Sequence, residues 1–349
     1  MKVNRTLYLA YYLKQLDKDK FDLFINYASR NSGLSRQLII RDIIHSVFKY
    51  NISILEYFQF RFFELSHSER ELWAGTGYMY EYQLKMNPKK QRHILDDKTL
   101  FYKNYGDFMI HKVADLKDLE ENARLIDTVL KNPSAKLVFK VADGKCGAQV
   151  EVKDCEEFTP KNLLTFMRAQ GYDLVEEFIV QHAKINGLSP SAVNTVRIIT
   201  QLNQQDEVDI LGCRFRISVD SAVDNMAAGN LAAPIDEKTG IVSGPGVYSD
   251  ITKPDEVYHP ITGVKIPGFQ IPFWKSTIQL AKDAALLHPQ NRSIGWDIVI
   301  TDKGPGLIEG NHDWCKLLWQ LPVKQGLKNI LTHYLDGFPT ETKKVKAMA

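Results

Sequence analysis

The sequence predicts an α+β fold in which a helical N-terminal module precedes two mixed α+β lobes. Residues 1–90 carry apolar side chains at spacings of three and four, which is the periodicity of amphipathic helices. The segment MNPKKQ, with Pro88 and its lysines, then indicates a boundary. Beyond it helical segments alternate with strand-like runs, and the strand-like runs dominate from LVEEFIVQH onward. This change predicts the order helical module, smaller lobe, larger lobe.

The composition is that of an ordinary globular protein. The chain has 349 residues, of which 44% are hydrophobic and 25% charged, and its formal net charge is +2. This balance argues against nucleic acid as the main partner. The sequence contains no run of about eighteen apolar residues, so no membrane span is expected. The first residues do not resemble a signal peptide, and the four cysteines lack CxxC spacing. We therefore expect a cytoplasmic protein with free thiols; its oligomeric state is left open.

Three segments predict the helices of the N-terminal module, residues 1–90. They are LYLAYYLKQL, RQLIIRDIIHSVFKY and ISILEYFQFRFFEL. The aromatic run YFQFRFF has the composition of a membrane-surface face. Packing of these helices onto a neighbouring domain is the simpler interpretation, and we favour it.

The smaller lobe is predicted over residues 91–172 and the larger lobe over residues 173–335. The smaller lobe contains, in order, a helix at DDKTLFYKNY, a strand at FMIHKV, a helix at DLKDLEENARLIDTVLKN, a hairpin at AKLVFKVADGKCGAQVEV and a helix at TPKNLLTFMRAQ. The larger lobe contains strands at LVEEFIVQH, VRIITQL, EVDILGCRFRIS and DIVITDKGPGLIEGN, and a helix at WKSTIQLAKDAALLH. Residues 240–272, rich in Gly and Pro, predict an irregular excursion, and residues 336–349 a C-terminal tail.

Three oxygen-bearing side chains lie near the ends of the predicted hairpin DIVITDKGPGLIEGN. Asp297 opens its first strand, and Glu309 and Asn311 lie near the end of its second. Alternation points Glu309 and Asn311 to one face, and antiparallel pairing brings Asp297 towards them. Carboxylate and amide oxygens suit Mg²⁺. A hairpin with polar ends is the alternative, and for this segment alone it is the better interpretation.

A lysine and a glycine-rich loop occur together in LVFKVADGKCGAQ. Lys140 lies in an apolar strand, and Gly144, Lys145 and Gly147 lie in the loop that follows. Glycines let backbone N–H groups approach phosphates, and a strand lysine supplies a fixed positive charge. The segment fits neither GxxxxGK[ST] nor GxGxxG. A glycine hairpin with surface lysines is the alternative.

The segment LVEEFIVQH is predicted to connect the two lobes. Glu176 and Glu177 interrupt its apolar run, and Phe178 follows. The backbone N–H and C=O groups of such a strand can bind the edge of an adenine ring, with Phe178 packing nearby. An edge strand with two solvated acids is a comparable alternative. His182 is expected to be a structural histidine or one at the rim of the site.

Arginines occur in the strand-like segments NTVRIIT and CRFRIS. Arg197 lies in the first, and Arg214 and Arg216 lie two positions apart in the second, so both point to one face. Arginine on a sheet face suits bidentate binding of phosphate or carboxylate. A structural salt bridge is the alternative for at least one of the three.

The order of these features resembles the ATP-grasp superfamily. The dipeptide Asp97–Lys98 comes first, then the strand lysine and glycine loop, VEEFI, NTVRIIT, the arginine strand and GWD…GPGLIEGN. The resemblance covers about residues 90–330. The phrases QHAKINGLSPSAVNTVRIIT, AVDNMAAGNLAAPIDEKTG and HPITGVKIPGFQIPFW also resemble the sugar-transfer-associated branch. The resemblance implies an ATP-grasp fold, with two α+β lobes clamping ATP, and a role in bacterial surface-polysaccharide pathways.

The resemblance also implies roles for individual residues. It places ATP against Lys98, Lys140, Gly144, Lys145, Gly147, Glu176, Glu177, Phe178, Ile179, His182 and Asn225. It implies catalytic roles for Arg214, Arg197 and Lys140, with Arg214 on the terminal phosphates. It implies Mg²⁺, as two ions that Mn²⁺ can replace, held by Asp297, Glu309 and Asn311. The chain departs from the superfamily in its short glycine loop, with Cys146 where Gly or Ser is common, and in its helical N-terminus.

The implied activity is that of an ATP-dependent ligase that forms an amide through an acylphosphate. Its substrates would be an amine and a small-molecule or glycan-linked carboxylate, such as a sugar acid. A kinase on the same clamp and a nucleotide-binding scaffold of a glycan-assembly complex are the alternatives. The acids and lysines of the implied site argue against the scaffold, because a degenerate site would tolerate their loss. The mechanism needs no Ser or Cys nucleophile, and the sequence contains no GxSxG elbow.

Overall fold

A computed structural model of the protein describes residues 5–142 and 150–335. Within these ranges, helices lead into two antiparallel β-sheets, one of four strands and one of five. The predicted α+β character, with helices preceding the strand-rich part, is confirmed.

The N-terminal module contains six α-helices in the described residues, and local capping signals set their ends. They are α1 (Arg5–Lys14), α2 (Lys18–Ser32), α3 (Arg36–Tyr50), α4 (Ile54–Gln59), α5 (His67–Glu71) and α6 (Thr76–Met86). The hydroxyl of Ser35 accepts the N–H of Leu38 at the start of α3, and Asn51 ends α3 in the left-handed conformation. Ser53 and Glu56 form a capping box at the start of α4.

Two details of the module differ from the sequence-based prediction. α2 lies outside the three quoted segments, although within the stretch predicted to be helical; it begins where Asp17 accepts the N–H of Lys20 at 3.0 Å. The helix predicted across residues 52–65 is interrupted, because α4 ends at Gln59 and Arg61 has a φ of 53°. A single 3₁₀ turn, Phe62–Glu64, follows. Bulky aromatic neighbours in one segment therefore pack around a bend instead of along one helix.

The aromatic run at residues 57–63 is buried inside the module. Tyr57, Phe58 and Phe62 are fully buried, and the ring of Phe60 stacks on Trp73 with centroids 4.4 Å apart. This burial agrees with the packing interpretation and excludes a membrane-surface role for the run. Among the helices of the described residues, none is long and apolar enough to cross a bilayer.

The smaller sheet has the strand order β1-β4-β2-β3 and is antiparallel throughout. Two helices, α7 (His93–Asp96) and α8 (Lys98–Tyr105), lead into it. Its strands are β1 (Val113–Asp115), β2 (Lys136–Lys140), β3 (Val150–Asp154) and β4 (Leu174–Glu177), and its helices are α9 (Leu116–Glu121), α10 (Ala123–Leu130) and α11 (Pro160–Gln170). Phe139 and Val175 pack against Leu163 of α11. The strand predicted at FMIHKV is wrong except for Val113.

The larger sheet has the strand order β7-β6-β5-β8-β9. Its strands are β5 (Thr195–Leu202), β6 (Val208–Ile217), β7 (Leu231–Ile235), β8 (Ser293–Thr301) and β9 (Gly304–Asn311), and its helices are α12 (Ala183–Leu188), α13 (Trp274–Leu287), α14 (Lys316–Gln320) and α15 (Lys328–Leu335). β7, α12, α14 and α15 were not predicted. β7 contains Pro234, which weakens a strand pattern but is tolerated in an edge strand.

The two faces of the larger sheet have different neighbours. On one face Ile198, Phe215 and Trp296 pack against α13. The opposite face carries polar residues and is partly covered by the N-terminal module, where the hydroxyl of Tyr82 donates to Gln201 at 2.6 Å. The ammonium of Lys316 in α14 pairs with Glu56 at 3.0 Å, and Glu56 is almost fully buried. The helical module is therefore packed beside the polar face of the larger lobe.

The predicted domain boundaries at residues 90, 172 and 335 remain predictions. β4 lies in the segment assigned to the larger lobe but pairs with β1 and β2 of the smaller sheet. Residues 336–349, the predicted tail, lie outside the described residues.

Candidate functional site

A row of charged residues crosses the polar face of the larger sheet. Asp297 of β8 pairs directly with Arg197 of β5 on one side and with Glu309 of β9 on the other. Paired residues in antiparallel strands point to the same face. Asn311, two positions after Glu309, therefore joins them on that face. The structure thus brings Asp297, Glu309 and Asn311 together, as the hairpin pattern predicts.

Asp297 is the centre of a buried ion-pair network. Its carboxylate accepts two hydrogen bonds from Arg197, at 2.6 and 2.7 Å, and one from Arg216, at 2.6 Å. Its side chain and those of both arginines are almost fully buried. Burial alone would raise the pKa of Asp297, but the two guanidinium groups outweigh it and hold that pKa well below its usual range. Asp297 is therefore ionised at every physiological pH.

Glu309 differs from Asp297 because it is open to solvent. Its side chain is exposed and accepts a hydrogen bond from the Nδ2 of Asn311 at 3.1 Å. Crowding by protein around the carboxylate and the negative charge of Asp297 raise the pKa of Glu309 to about 7. Two carboxylates this close favour either a shared proton or a bound cation.

The donor set fits a hard divalent cation. Two carboxylates and one carboxamide supply oxygen ligands of the kind that Mg²⁺ takes. Glu309 is accessible and lacks an arginine partner in the ion pairs of the described residues, whereas the oxygens of Asp297 already accept three guanidinium hydrogen bonds. In the described residues no cluster of three His, Cys, Asp or Glu side chains forms a metal site, so the amide of Asn311 is needed to complete this one.

The two arginines of β6 point in different directions, which the sequence pattern did not predict. Arg214 donates to the carbonyl of Trp319 at 3.0 Å and to the carbonyl of Cys213 at 2.8 Å. It is buried, and loss of hydration lowers its pKa to about 10. Arg216, in contrast, reaches Asp297 and also pairs with Asp224 at 2.6 Å. The structure therefore does not bring Arg214 to the acids; Arg216 takes that place.

Two residues of the loop before β7 complete the ion-pair network around Asp297. The carboxylate of Asp224 accepts hydrogen bonds from the N–H and hydroxyl of Thr195, at 2.8 and 2.6 Å. The amide oxygen of Asn225 accepts a hydrogen bond from Arg216. Asn225, an expected ATP contact, is thus held next to the acids by the same arginine. The salt-bridge alternative for the arginines is correct for Arg197 and Arg216, and it does not exclude a further role.

A second cluster lies in the smaller sheet. The ammonium of Lys140 pairs with the carboxylate of Glu176 at 2.5 Å, and the Nε2 of His111 lies 3.4 Å from the same carboxylate. Burial would raise the pKa of Glu176, but the charge of Lys140 and the hydrogen bond from His111 lower it to about 2. Glu176 is therefore a buried partner of the strand lysine, and the alternative of a solvated edge acid is excluded for it.

Lys98 lies beside the end of β2, at the start of α8. Its ammonium is 3.4 Å from the carbonyl oxygens of Val141 and Ala142, and Asp97 caps the helix by accepting the N–H of Leu100. Both predicted phosphate lysines therefore lie at the same end of the smaller sheet. The loop residues Gly144, Lys145 and Gly147, and Cys146, lie outside the described residues.

The linker after β4 runs along a small cleft. The N–H of Glu177 donates to Lys112 and the N–H of Phe178 to Lys136, at 2.8 and 3.2 Å, so both groups are used in the smaller sheet. The cleft has a volume of about 200 Å³, and its lining includes Phe178, Ile179 and His111. His182 immediately precedes α12, and its Nδ1 accepts the N–H of Lys184. His182 is thus a helix cap, in agreement with a structural role.

Three residues of these clusters were absent from the predicted site. Arg216 was recognised in the sequence but not assigned a role, because strand alternation does not distinguish it from Arg214. Asp224 lies in AVDNMAAGN, and nothing in that pattern distinguishes it from a solvated loop acid. His111 gave no signal, because a lone histidine near a short strand is common. Its Nδ1 is buried and lacks a hydrogen-bond partner among the described residues.

The sequence matches that of one known protein family. A sequence model of the family described as sugar-transfer associated ATP-grasp matches residues 78–335. No curated protein sequence matches the chain.

Solved structures show more distant likenesses. The ATP-grasp ligase PsnB, complexed with minimal precursor, is 11% identical with a TM-score of 0.41, covering 72% of this chain and 62% of its own. The biotin carboxylase of Campylobacter jejuni is 10% identical with a TM-score of 0.47, covering 74% and 50%. The N5-carboxyaminoimidazole ribonucleotide synthetase of Thermus thermophilus is 13% identical with a TM-score of 0.42, covering 72% and 56%. This chain thus spans only half to three fifths of their lengths.

Proposed function

The chain belongs to the sugar-transfer associated ATP-grasp family, and on that premise we propose that it is an ATP- and Mg²⁺-dependent ligase that joins a carboxylate to an amine. The observation that carries the proposal is the acid row on the larger sheet, where Asp297, Glu309 and Asn311 share one face. A structural salt-bridge network would need only Asp297 and its arginines. An accessible second carboxylate that faces a first, permanently ionised one across the strand pair is an arrangement suited to a divalent cation.

Each lobe contributes a different part of the proposed site. The smaller sheet supplies Lys140 and Lys98 for the phosphates of ATP, and the linker through Ile179 supplies main-chain groups for the base. The larger sheet supplies the cation ligands, with Asn225 nearby. Mg²⁺ held by Glu309, Asn311 and Asp297 would neutralise charge on the ATP phosphates.

The proposed reaction has two steps. A carboxylate oxygen of the substrate attacks the γ-phosphorus of ATP, and the bond to the bridging oxygen breaks, releasing ADP. The amine then attacks the acyl carbon of the acylphosphate; phosphate leaves and the amine loses a proton. Arg197 and Arg216 are buried and fixed by Asp297, so their guanidinium groups are pre-oriented at the edge of the cation site. Catalysis of this kind consists of positioning and charge stabilisation.

We propose a sugar acid or another surface-polysaccharide precursor as the carboxylate substrate, in accordance with the sugar-transfer description of the family. A screen of sugar acids against amino compounds tests the function, with ADP release and product mass as the readout. ADP release that needs both an acid and an amine, with an amide product, supports the ligase. A stable phosphorylated product formed without an amine would instead identify a kinase, and ATP binding without turnover on any pair would identify a scaffold.

Replacing Lys140 tests the assignment of the strand lysine. Lys140→Met alone leaves the buried carboxylate of Glu176 with only His111 as a partner, which costs up to about 3–5 kcal/mol of stability. We therefore expect the double variant Lys140→Met/Glu176→Gln to be more stable than Lys140→Met while binding ATP about 10- to 100-fold more weakly than the wild type, because a charged hydrogen bond to phosphate is lost. Calorimetric titration with a non-hydrolysable ATP analogue measures the affinity.

Lys153→Met provides a matched control, because Lys153 lies on the neighbouring strand β3 and its ion pairs in the described residues, with Glu151 and Glu157, are open to solvent at least in part. Its ATP affinity is expected to equal that of the wild type. Unchanged affinity in the Lys140→Met/Glu176→Gln variant would show that Lys140 is a structural partner of Glu176 and nothing more.

A further inference from the structure

The N-terminal module carries large apolar side chains that no part of the described structure covers. On α3, Ile40, Ile44 and Phe48 follow one another at intervals of four and are 37%, 43% and 37% exposed. On α1, Leu7 and Tyr11 have the same spacing and are 66% and 58% exposed. Residues four apart lie on one side of a helix. Each helix therefore presents an apolar stripe to the outside.

The two helices lie side by side. The guanidinium group of Arg5, at the start of α1, donates to the carbonyls of Phe48 and Lys49, the latter at 3.3 Å. Tyr12 of α1 belongs to the same buried cluster as Ile43 and Val47 of α3. The buried sides of both helices thus complete the core of the module, and their exposed stripes are not needed for it. We call Leu7, Tyr11, Ile40, Ile44 and Phe48 the α1–α3 apolar face.

Positive charges accompany this face. Lys14 lies three residues after Tyr11, Arg41 follows Ile40, and Lys49 follows Phe48; all three are exposed. α1 contains no acidic residue. The single acid of α3, Asp42, is turned towards the core, where Arg70 pairs with it at 2.8 Å.

An apolar stripe edged with cations is complementary to an anionic bilayer surface. Aliphatic and aromatic side chains enter the interface, while lysine and arginine contact lipid phosphates. A second copy of this chain fits less well, because two-fold docking of the same face would bring Lys14, Arg41 and Lys49 of both copies together. A neutral apolar partner would leave these cations without counter-charges. An anionic bilayer supplies both, because its acyl chains take up the apolar side chains and its headgroups carry the negative charge.

We propose that the α1–α3 apolar face docks the protein on an anionic membrane surface, without any segment crossing the bilayer. The module that would dock also packs on Met226, the residue after Asn225. The proposal concerns binding only and does not depend on which reaction the site performs.

Vesicle sedimentation with the full chain tests the proposal. At about 0.15 M salt we expect the protein to sediment with phosphatidylcholine vesicles that contain 30% phosphatidylglycerol, and not with pure phosphatidylcholine. Arg41→Glu/Lys49→Glu is expected to reduce the partition coefficient at least about 25-fold, because each cation contributes about fivefold at an anionic surface. Ile44→Ser/Phe48→Ser is expected to abolish binding even at low salt.

Leu286→Ser/Leu287→Ser is the matched control, because these two leucines of α13 are similarly exposed, at 48% and 45%. It is expected to bind like the wild type, and circular dichroism should show that all variants remain folded. The proposal is overturned if the wild type binds neither vesicle or both equally, or if the control loses binding as the face variants do. It is also overturned if light scattering finds a dimer that Ile44→Ser/Phe48→Ser dissociates, because a second copy then occupies the face.

Discussion

Glu309→Gln is expected to lower kcat by about 10²- to 10³-fold or more, the size of effect seen when one preorganised electrostatic contact is removed, while the protein remains folded. The substitution keeps the shape of the side chain and its contact with Asn311 but removes the charge that would bind Mg²⁺. Asp297 keeps both arginines, so the buried network is not disturbed. The kcat of ATP turnover with an accepted acid and amine measures the effect.

The same substitution is expected to change the pH dependence of stability in the metal-free protein. The raised pKa of Glu309, about 7, means that between pH 4.5 and 7 the folded protein holds a proton that the unfolded chain has lost. This contribution to stability is complete at low pH and is lost as the pH rises through about 7. We therefore expect the free energy of unfolding of Glu309→Gln, relative to that of the wild type, to increase as the pH rises from 5 to 8. Urea denaturation with EDTA present measures this difference.

Glu207→Gln is a suitable control, because Glu207 is exposed in the turn between β5 and β6, away from the acid row. It should alter neither kcat nor the pH dependence. Near-normal turnover by Glu309→Gln would refute Glu309 as a cation ligand.

Arg216→Lys is expected to lower kcat/KM by about 100-fold or more, because lysine cannot bridge two carboxylates as a guanidinium fork does. Arg216 contacts Asp297 and Asp224 and holds the amide of Asn225. Lysine keeps the positive charge, whereas Arg216→Met would leave buried acids short of a partner and cost about 3–5 kcal/mol of stability. The conservative change thus separates loss of geometry from loss of fold.

Arg214→Lys is the matched variant on the same strand and the same face. Arg214 donates to the carbonyl of Trp319 and has no carboxylate partner among the ion pairs of the described residues. Its replacement is expected to cost about 1–3 kcal/mol of stability through lost hydrogen bonds, with kcat unchanged in the folded fraction. A loss of kcat equal to that of Arg216→Lys would restore the sequence-based assignment of Arg214 to the terminal phosphates.

The acid row, Asp297, Glu309 and Asn311, shows which contacts the sequence pattern alone can predict. Alternation along β9 and the short turn before it predicted that Glu309 and Asn311 share a face and that Asp297 approaches them, and the β8–β9 register brings Asp297 opposite Glu309. Such pairing is decided by residues close in the chain. The ordered set of motifs likewise led to the family that the comparison identifies.

The sequence by itself determined the α+β class, the helical start, the acid hairpin and the family. Only the tertiary structure decided which arginine joins the acids, since Arg214 and Arg216 share one face and differ only in their neighbours. Trp319, 105 positions away, takes the guanidinium of Arg214, while Asp224 and Asp297 take that of Arg216. The sequence did not predict the pairing of His111 with Glu176, because these residues are also distant in the chain. Strand periodicity fixes the face of a side chain, but contacts between distant segments fix its direction.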